Sequence, residues 1–91
     1  MVNVKFLARF RDITGERSVS IEYNGSISDL MNTLTEKYGN EFKEALFDKE
    51  GNLRDYMKII VNGEDVESNR GLKSEVGNDD EVVIFQTIAG G

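Results

Sequence analysis

From Val2 to Phe10 the apolar side chains take every second position: Val2, Val4, Phe6, Ala8 and Phe10 alternate with Asn3, Lys5, Leu7, Arg9 and Arg11. Side chains of an extended chain point to opposite faces in turn, so this period predicts a strand with one buried face. Thr14-Gly15 interrupts it, and Val19, Ile21 and Tyr23 resume the alternation against Ser18, Ser20 and Glu22. Two such runs joined by a short polar turn predict an N-terminal hairpin, which Asn24-Gly25 closes.

The period then changes. Ser26 and Asp29 stand at capping-box spacing, with Asp where Glu or Gln is more usual. Ile27, Leu30, Met31, Leu34 and Tyr38 recur along one helical stripe, and Gly39 supplies a stop. The spacing predicts a helix of about three turns lying across one face of a sheet. Asn40 to Phe47 adds a short helical turn with Phe42, Leu46 and Phe47 as its apolar side.

Asp48-Lys49-Glu50-Gly51-Asn52 reads as a loop. Its acids lack the Asp-x-Asp-x-Asp-Gly order of a calcium loop, so a solvated turn is the better reading. Met57-Lys58-Ile59-Ile60-Val61 is a short β-branched strand, Asn62-Gly63 a strong two-residue turn signal, and Glu64-Asp65-Val66 the return. Ser68 to Val76 is polar and loop-like, anchored by Leu72 and Val76. Gly77-Asn78-Asp79-Asp80 is a turn whose acids could hold a cation weakly but read better as solvated. Glu81 to Gln86 is the last strand. The order β-β-α-β-(β)-β implies a two-layer α+β sandwich with the first and last strands central.

Composition narrows the function. The 91 residues are enough for one domain and one core. A net charge of −6 argues against nucleic acid, whose binding rests on Lys and Arg, and fits docking onto basic partners. No apolar run approaches the ~20 residues of a membrane span, and the chain enters a strand pattern at Val2 without a signal-peptide pattern. The expected compartment is cytoplasmic. With neither Cys nor His in the sequence, thiolate nucleophiles, disulfides, Cys-based metal sites and Ser-His-Asp or Cys-His catalysis are excluded. Carboxylates and lysines form no paired constellation. The chain is therefore expected not to be an enzyme, to bind no metal and to hold no cofactor of its own.

The sequence closes on Thr87-Ile88-Ala89-Gly90-Gly91. A Gly-Gly end is a poor structural element, because fixing glycine costs the most backbone entropy. It suits a thin, flexible tail that can be threaded into another protein's site. Those two residues alone would fit a frayed end equally well. Taken with the rest, the chain divides into a domain over 1–86 and a tail over 87–91.

Several segments resemble the ubiquitin-like sulfur carriers. They are Ala8-Arg9-Phe10-Arg11-Asp12-Ile13-Thr14-Gly15, Val61-Asn62-Gly63, Asp79-Asp80-Glu81-Val82-Val83-Ile84-Phe85 and Ala89-Gly90-Gly91. That family includes the small subunit of molybdopterin synthase (MoaD), its thiamin-pathway relative ThiS, and the small archaeal modifier proteins. The segments Leu46 to Arg54 and Asn69-Arg70-Gly71-Leu72 look most like the modifier branch. The resemblance implies a β-grasp fold, a mixed sheet with one main helix across it.

It also implies a chemistry centred on Gly91. A MoeB-like or ubiquitin-activating-type enzyme would use ATP and Mg²⁺ to turn that carboxylate into an acyl-adenylate. Sulfur would then leave a thiocarboxylate, or a target lysine would capture the acyl group as an isopeptide. The sulfur acceptor on this reading is molybdopterin or a related biosynthesis, with the large subunit of molybdopterin synthase as a further partner. The alternative is a β-grasp binding module or accessory subunit that is never activated. The family usually carries proline where this chain has Gln86-Thr87, so the root of the tail is expected to be looser and Gln86 to prolong the last strand.

A docking face follows from the period of the last strand. If Val82 and Ile84 face the helix, Val83 and Phe85 face away, and Leu7 and Ile60 share that outer side. Phe85, next to the tail, matches a partner-contacting Phe of the family. Leu7 fits docking and ordinary loop cover equally. Arg11 matches a family position, where it would meet partner carboxylates or make a surface ion pair.

Overall fold

The computed structural model describes residues 1–66 and 71–87. Its first strand, β1 (Val2–Phe6), turns Val2, Val4 and Phe6 into the core and Asn3 and Lys5 outward. The strand stops there, which corrects the expected run to Phe10. Arg9–Thr14 is a helix, α1, and β2 (Ser18–Ile21) comes after it. The two strands do pair antiparallel, from Val2 against Ile21 to Lys5 against Ser18. A helix joins them where a short turn was expected.

The reason lies at Phe10. Beyond the last β1–β2 pair an extended chain would leave this ring without cover. Wound into α1 it is fully buried and meets Phe42 edge-on at 5.5 Å. Gly15 ends the helix at φ 75°, its N–H donating to the Arg11 carbonyl, a left-handed position that suits glycine. Burial of Phe10 satisfies either backbone, so alternation could not tell them apart.

The period-3.6 stripe behaves as expected. β3 (Gly25–Ser26) leads directly into α2 (Ile27–Tyr38), and the Ser26 hydroxyl accepts the Asp29 N–H at 3.1 Å as N-cap. Ile27, Leu30, Met31 and Leu34 are fully buried. At Gly39 the φ of 91° breaks the helix, and α3 (Asn40–Leu46) follows, burying Phe42, Ala45 and Leu46. The Phe6 ring stands edge-on to Tyr38 at 5.5 Å and to Phe42 at 6.1 Å, joining β1 to both helices.

The main sheet runs β2-β1-β7-β4-β5, with β4 at Met57–Val61, β5 at Glu64–Asp65 and β7 at Glu81–Gln86. β7 lies parallel to β1 and antiparallel to β4, so the sheet is mixed. Met57, Ile59, Val82 and Ile84 line its inner face against α2 and α3. This is the ubiquitin-like β-grasp architecture, a sheet gripping one main helix. Asn62 at φ 50° and Gly63 at φ 86° make the two-residue turn between β4 and β5.

One pairing was not legible. β6 (Glu75–Val76) lies in the stretch read as loop, yet it pairs antiparallel with β3, Gly25 against Val76. Gly25 is needed for close approach: a Cβ there would sit 2.8 Å from the Tyr23 hydroxyl, which donates to the Ser26 carbonyl at 2.6 Å. Of the other residues read as loop, Val76 is buried and Leu72 packs against the core, while residues 67–70 lie outside the described residues.

The acid turn before β7 proves structural. The Asn62 amide donates to one Asp80 oxygen at 2.9 Å, and the Gly77 N–H donates to the other at 2.8 Å. Asn62 also accepts the Glu81 N–H at 2.9 Å, so one side chain ties the β4–β5 turn to the start of β7. Among the described residues no group of three or more His, Cys, Asp or Glu is arranged to hold a metal, and no helix is long and apolar enough to cross a membrane.

Two predictions follow from this packing. Leu34→Ala should cost ~2–5 kcal/mol of stability by leaving a cavity in the core, measured by urea unfolding at neutral pH. The second concerns acid. Hydrogen bonds from Asn62 and then Gly77 hold the Asp80 carboxyl below its ordinary pKa. A lowered folded-state pKa stabilises the fold fully above the unfolded value of about 3.9, and the gain is lost as pH falls through the folded one. Asp80→Asn should therefore be less stable than the parent near neutral pH. That gap should close in urea melts taken progressively below about pH 4.

Candidate functional site

The site begins with the two faces of β7. Val82 and Ile84 are fully buried, and Val83 and Phe85 point to the other side, as period two requires. In register, Val83 lies between Lys5 of β1 and Ile60 of β4, and Phe85 lies beside Lys58. Val83, Ile60 and Phe85 are half-buried, so they form a low apolar strip that does not protrude. Ion pairs flank the strip, Lys5 with Glu81 and Lys58 with Asp65, each at 3.1 Å.

Leu7 sits just past β1, where its N–H donates to the Ile84 carbonyl at 3.3 Å. That contact carries it to the Phe85 end of the strip. At 40 % exposure it is one of the two large hydrophobic side chains left open among the described residues, the other being Met1. Arg11 lies exposed on α1, which packs beside β7, and no ion pair among the described residues engages it. Val83, Ile60 and Phe85 are thus brought onto one side of the sheet, with Leu7 exposed just past the end of β1 and Arg11 on the neighbouring helix.

The tail leaves from the same end. Thr87 was expected to begin a loose root, yet its N–H donates to the Tyr56 carbonyl at 2.8 Å and its hydroxyl donates to the same oxygen at 3.0 Å. Ile88, Ala89, Gly90 and Gly91 lie outside the described residues.

Elsewhere several polar groups are spent on structure, although the buried Ser74 hydroxyl has no hydrogen-bond partner among the described residues. A depression of about 530 Å³ is lined by Glu64, Asp65, Glu75 and Asp80 together with Ser74, but Asp65 pairs with Lys58 and Asp80 with Asn62. A second, of about 570 Å³, lies between α3 and the following loop. There Asp48 accepts the Glu50 and Asn52 N–H groups, and Arg54 donates to the Glu44 carbonyl at 2.7 Å. Burial, reinforced by its 2.8 Å hydrogen bond to Glu16, raises the pKa of the Tyr38 hydroxyl. It sits at the edge of the aromatic cluster, away from the strip.

Comparison with known proteins places this geometry. The family model described as the ThiS family matches residues 4–91. Small archaeal modifier protein 3 of Haloferax volcanii is 23% identical over 92 residues, covering 99% of this chain and 98% of that protein. The "putative sulfur carrier protein" of Archaeoglobus fulgidus is 35% identical over 66 residues, or 72% of this chain and 74% of its own. Among solved structures, CysO of Mycobacterium tuberculosis superposes with a TM-score of 0.83 at 28% identity, covering 97% of this chain and 100% of that one.

The two faces of β7 give a direct test. Ile84→Ala should destabilise by ~2–5 kcal/mol. Phe85→Ala, one residue on, should cost less than half as much, because its side chain is only half-buried on the outer face. Thermal melts of the two variants compare them.

Proposed function

The chain belongs to the ThiS family of ubiquitin-like sulfur carriers, and from that premise we propose that the carboxylate of Gly91 is the group that reacts. The observation carrying this reading is that the family match runs through to Gly91, so it takes in the Gly-Gly end as well as the sheet that presents it. A carboxylate is a poor acyl donor because its leaving group would be oxide. Attack of one carboxylate oxygen on the α-phosphate of ATP expels pyrophosphate and gives a Gly91 acyl-adenylate. A sulfur nucleophile then displaces AMP and leaves a thiocarboxylate; a lysine amine would instead give an isopeptide. The chain is carrier and substrate in both routes. ATP, Mg²⁺ and the catalytic side chains belong to an adenylating partner of the MoeB or ubiquitin-activating type.

The outer strip of β7 is the surface this partner grips. Phe85 and Val83 with Ile60 offer the apolar centre, Leu7 the exposed edge, and Arg11 a cation for a carboxylate across the interface. One neighbour, CysO of Amycolatopsis orientalis, was solved in complex with BexX, at a TM-score of 0.83 and 28% identity over all of both chains. That supports a protein partner for a chain of this shape. On this reading the sulfur passes to molybdopterin or a related biosynthesis, with the large subunit of molybdopterin synthase as a further partner; a target-protein lysine would instead accept the acyl group.

Deleting Gly91 withdraws the carboxylate by ~3.5 Å, and errors of even 1 Å cost about a hundredfold where geometry sets the rate. The deletion should abolish ATP–pyrophosphate exchange with the activating enzyme and leave the thermal midpoint unchanged, since an exposed end contributes little to folding. Full exchange by the deleted chain would show that the Gly91 carboxylate is not the reacting group, and no exchange by the parent would make the chain a β-grasp binding module whose tail is not activated.

A further inference from the structure

The β4–β7 ladder ends formally with Met57 against Gln86. Tyr56 and Thr87 form the next position, and there the pattern of bonds is unusual. Thr87 gives both its backbone N–H, at 2.8 Å, and its hydroxyl, at 3.0 Å, to the Tyr56 carbonyl. A carbonyl oxygen has two lone pairs, so this one is saturated by a single residue.

The acceptor is itself held from behind. The Met57 N–H belongs to the same peptide plane as the Tyr56 carbonyl, and it donates to the Arg54 carbonyl at 2.9 Å. Arg54 is fastened in turn to α3, its N–H to the Leu46 carbonyl at 3.0 Å and its Nε to the Glu44 carbonyl at 2.7 Å. A continuous run of hydrogen bonds therefore reaches from the end of α3 through Arg54 and the Tyr56–Met57 peptide to Thr87.

We infer that Thr87 is a positioning residue, whose paired donation to the Tyr56 carbonyl fixes where and in what direction the last four residues leave the sheet. The inference rests on the reading that Gly91 is the reacting end. A single backbone bond at the end of a ladder frays readily. The hydroxyl adds a second bond and locks the β-branched side chain in one rotamer. With Thr87 fixed, the four residues beyond it span at most about 14 Å when extended. Each further residue that must be ordered on binding would weaken uptake.

Thr87→Val keeps the shape and the N–H but removes the hydroxyl donor, and Thr87→Ser keeps the hydroxyl. Steady-state ATP–pyrophosphate exchange with the activating enzyme should show the KM for Thr87→Val raised about 2- to 10-fold, the worth of one neutral hydrogen bond. Its kcat should be unchanged, because the threaded tail reacts as before. Thr87→Ser should restore the KM, and melts should show all three chains folded at the assay temperature. An unchanged KM in Thr87→Val overturns the inference. So does a Thr87→Ser variant as impaired as Thr87→Val, which would make the methyl group the important part.

Amide exchange at position 87 decides the matter without a partner. Protection relative to the intrinsic rate should fall in Thr87→Val and hold in Thr87→Ser; equal protection in all three chains overturns the clamp. If the parent chain supports no exchange of pyrophosphate, the Gly91 reading fails while the amide measurement still judges Thr87.

Discussion

Val4 of the first strand lies beside Val82 of the last, in parallel, and this pairing of the two ends of the chain places every other element. It sets β7 in the middle of the sheet, with β1 and β2 on one side and β4 and β5 on the other. The chain between β2 and β4 must then cross back over one face. α2 does so on a stripe of four fully buried side chains, and the Phe6, Phe10 and Phe42 rings fill the space at its far end. Long-range closure of this kind costs loop entropy before it returns any contact, so the apolar density of β1 and β7 is what makes it worthwhile.

The same strand serves two surfaces. Its even positions, Val82 and Ile84, are core, and its odd positions, Val83 and Phe85, form the strip beside the tail. Because side chains alternate strictly, the strip cannot shift without dragging the core with it. A partner gripping the outer face therefore holds an element whose position is fixed by the whole fold. The tail root inherits that precision through Thr87.

The sequence showed those parts whose period is unambiguous. Ile27 through Leu34 repeat at helical spacing between a Ser26 cap and a Gly39 stop, and the structure differs by no more than a residue. Glu81 to Gln86 and the Asn62-Gly63 turn were equally plain. Phe10 was not, because its burial suits a strand or a helix and only the ring of Phe42, far along the chain, decides between them. β6 was hidden because two residues carry no period. At the site, alternation found the outer positions Val83 and Phe85 directly. The Thr87 clamp left no such mark: a threonine in place of the family's proline reads as lost stiffness, and only the carbonyl waiting on Tyr56 shows how stiffness is supplied by hydrogen bonds instead.

Placing the tail-bearing strand at the centre of the sheet has a consequence for how the protein is made. While the ribosome is still adding β7, β1 and β4 have no strand between them, and the inner face of the sheet stays open. The domain can close only after the segment that carries the tail has emerged. A chain cut short within β7 loses the strand that joins β1 to β4. Synthesis of β7 and closure of the sheet are thereby made one event.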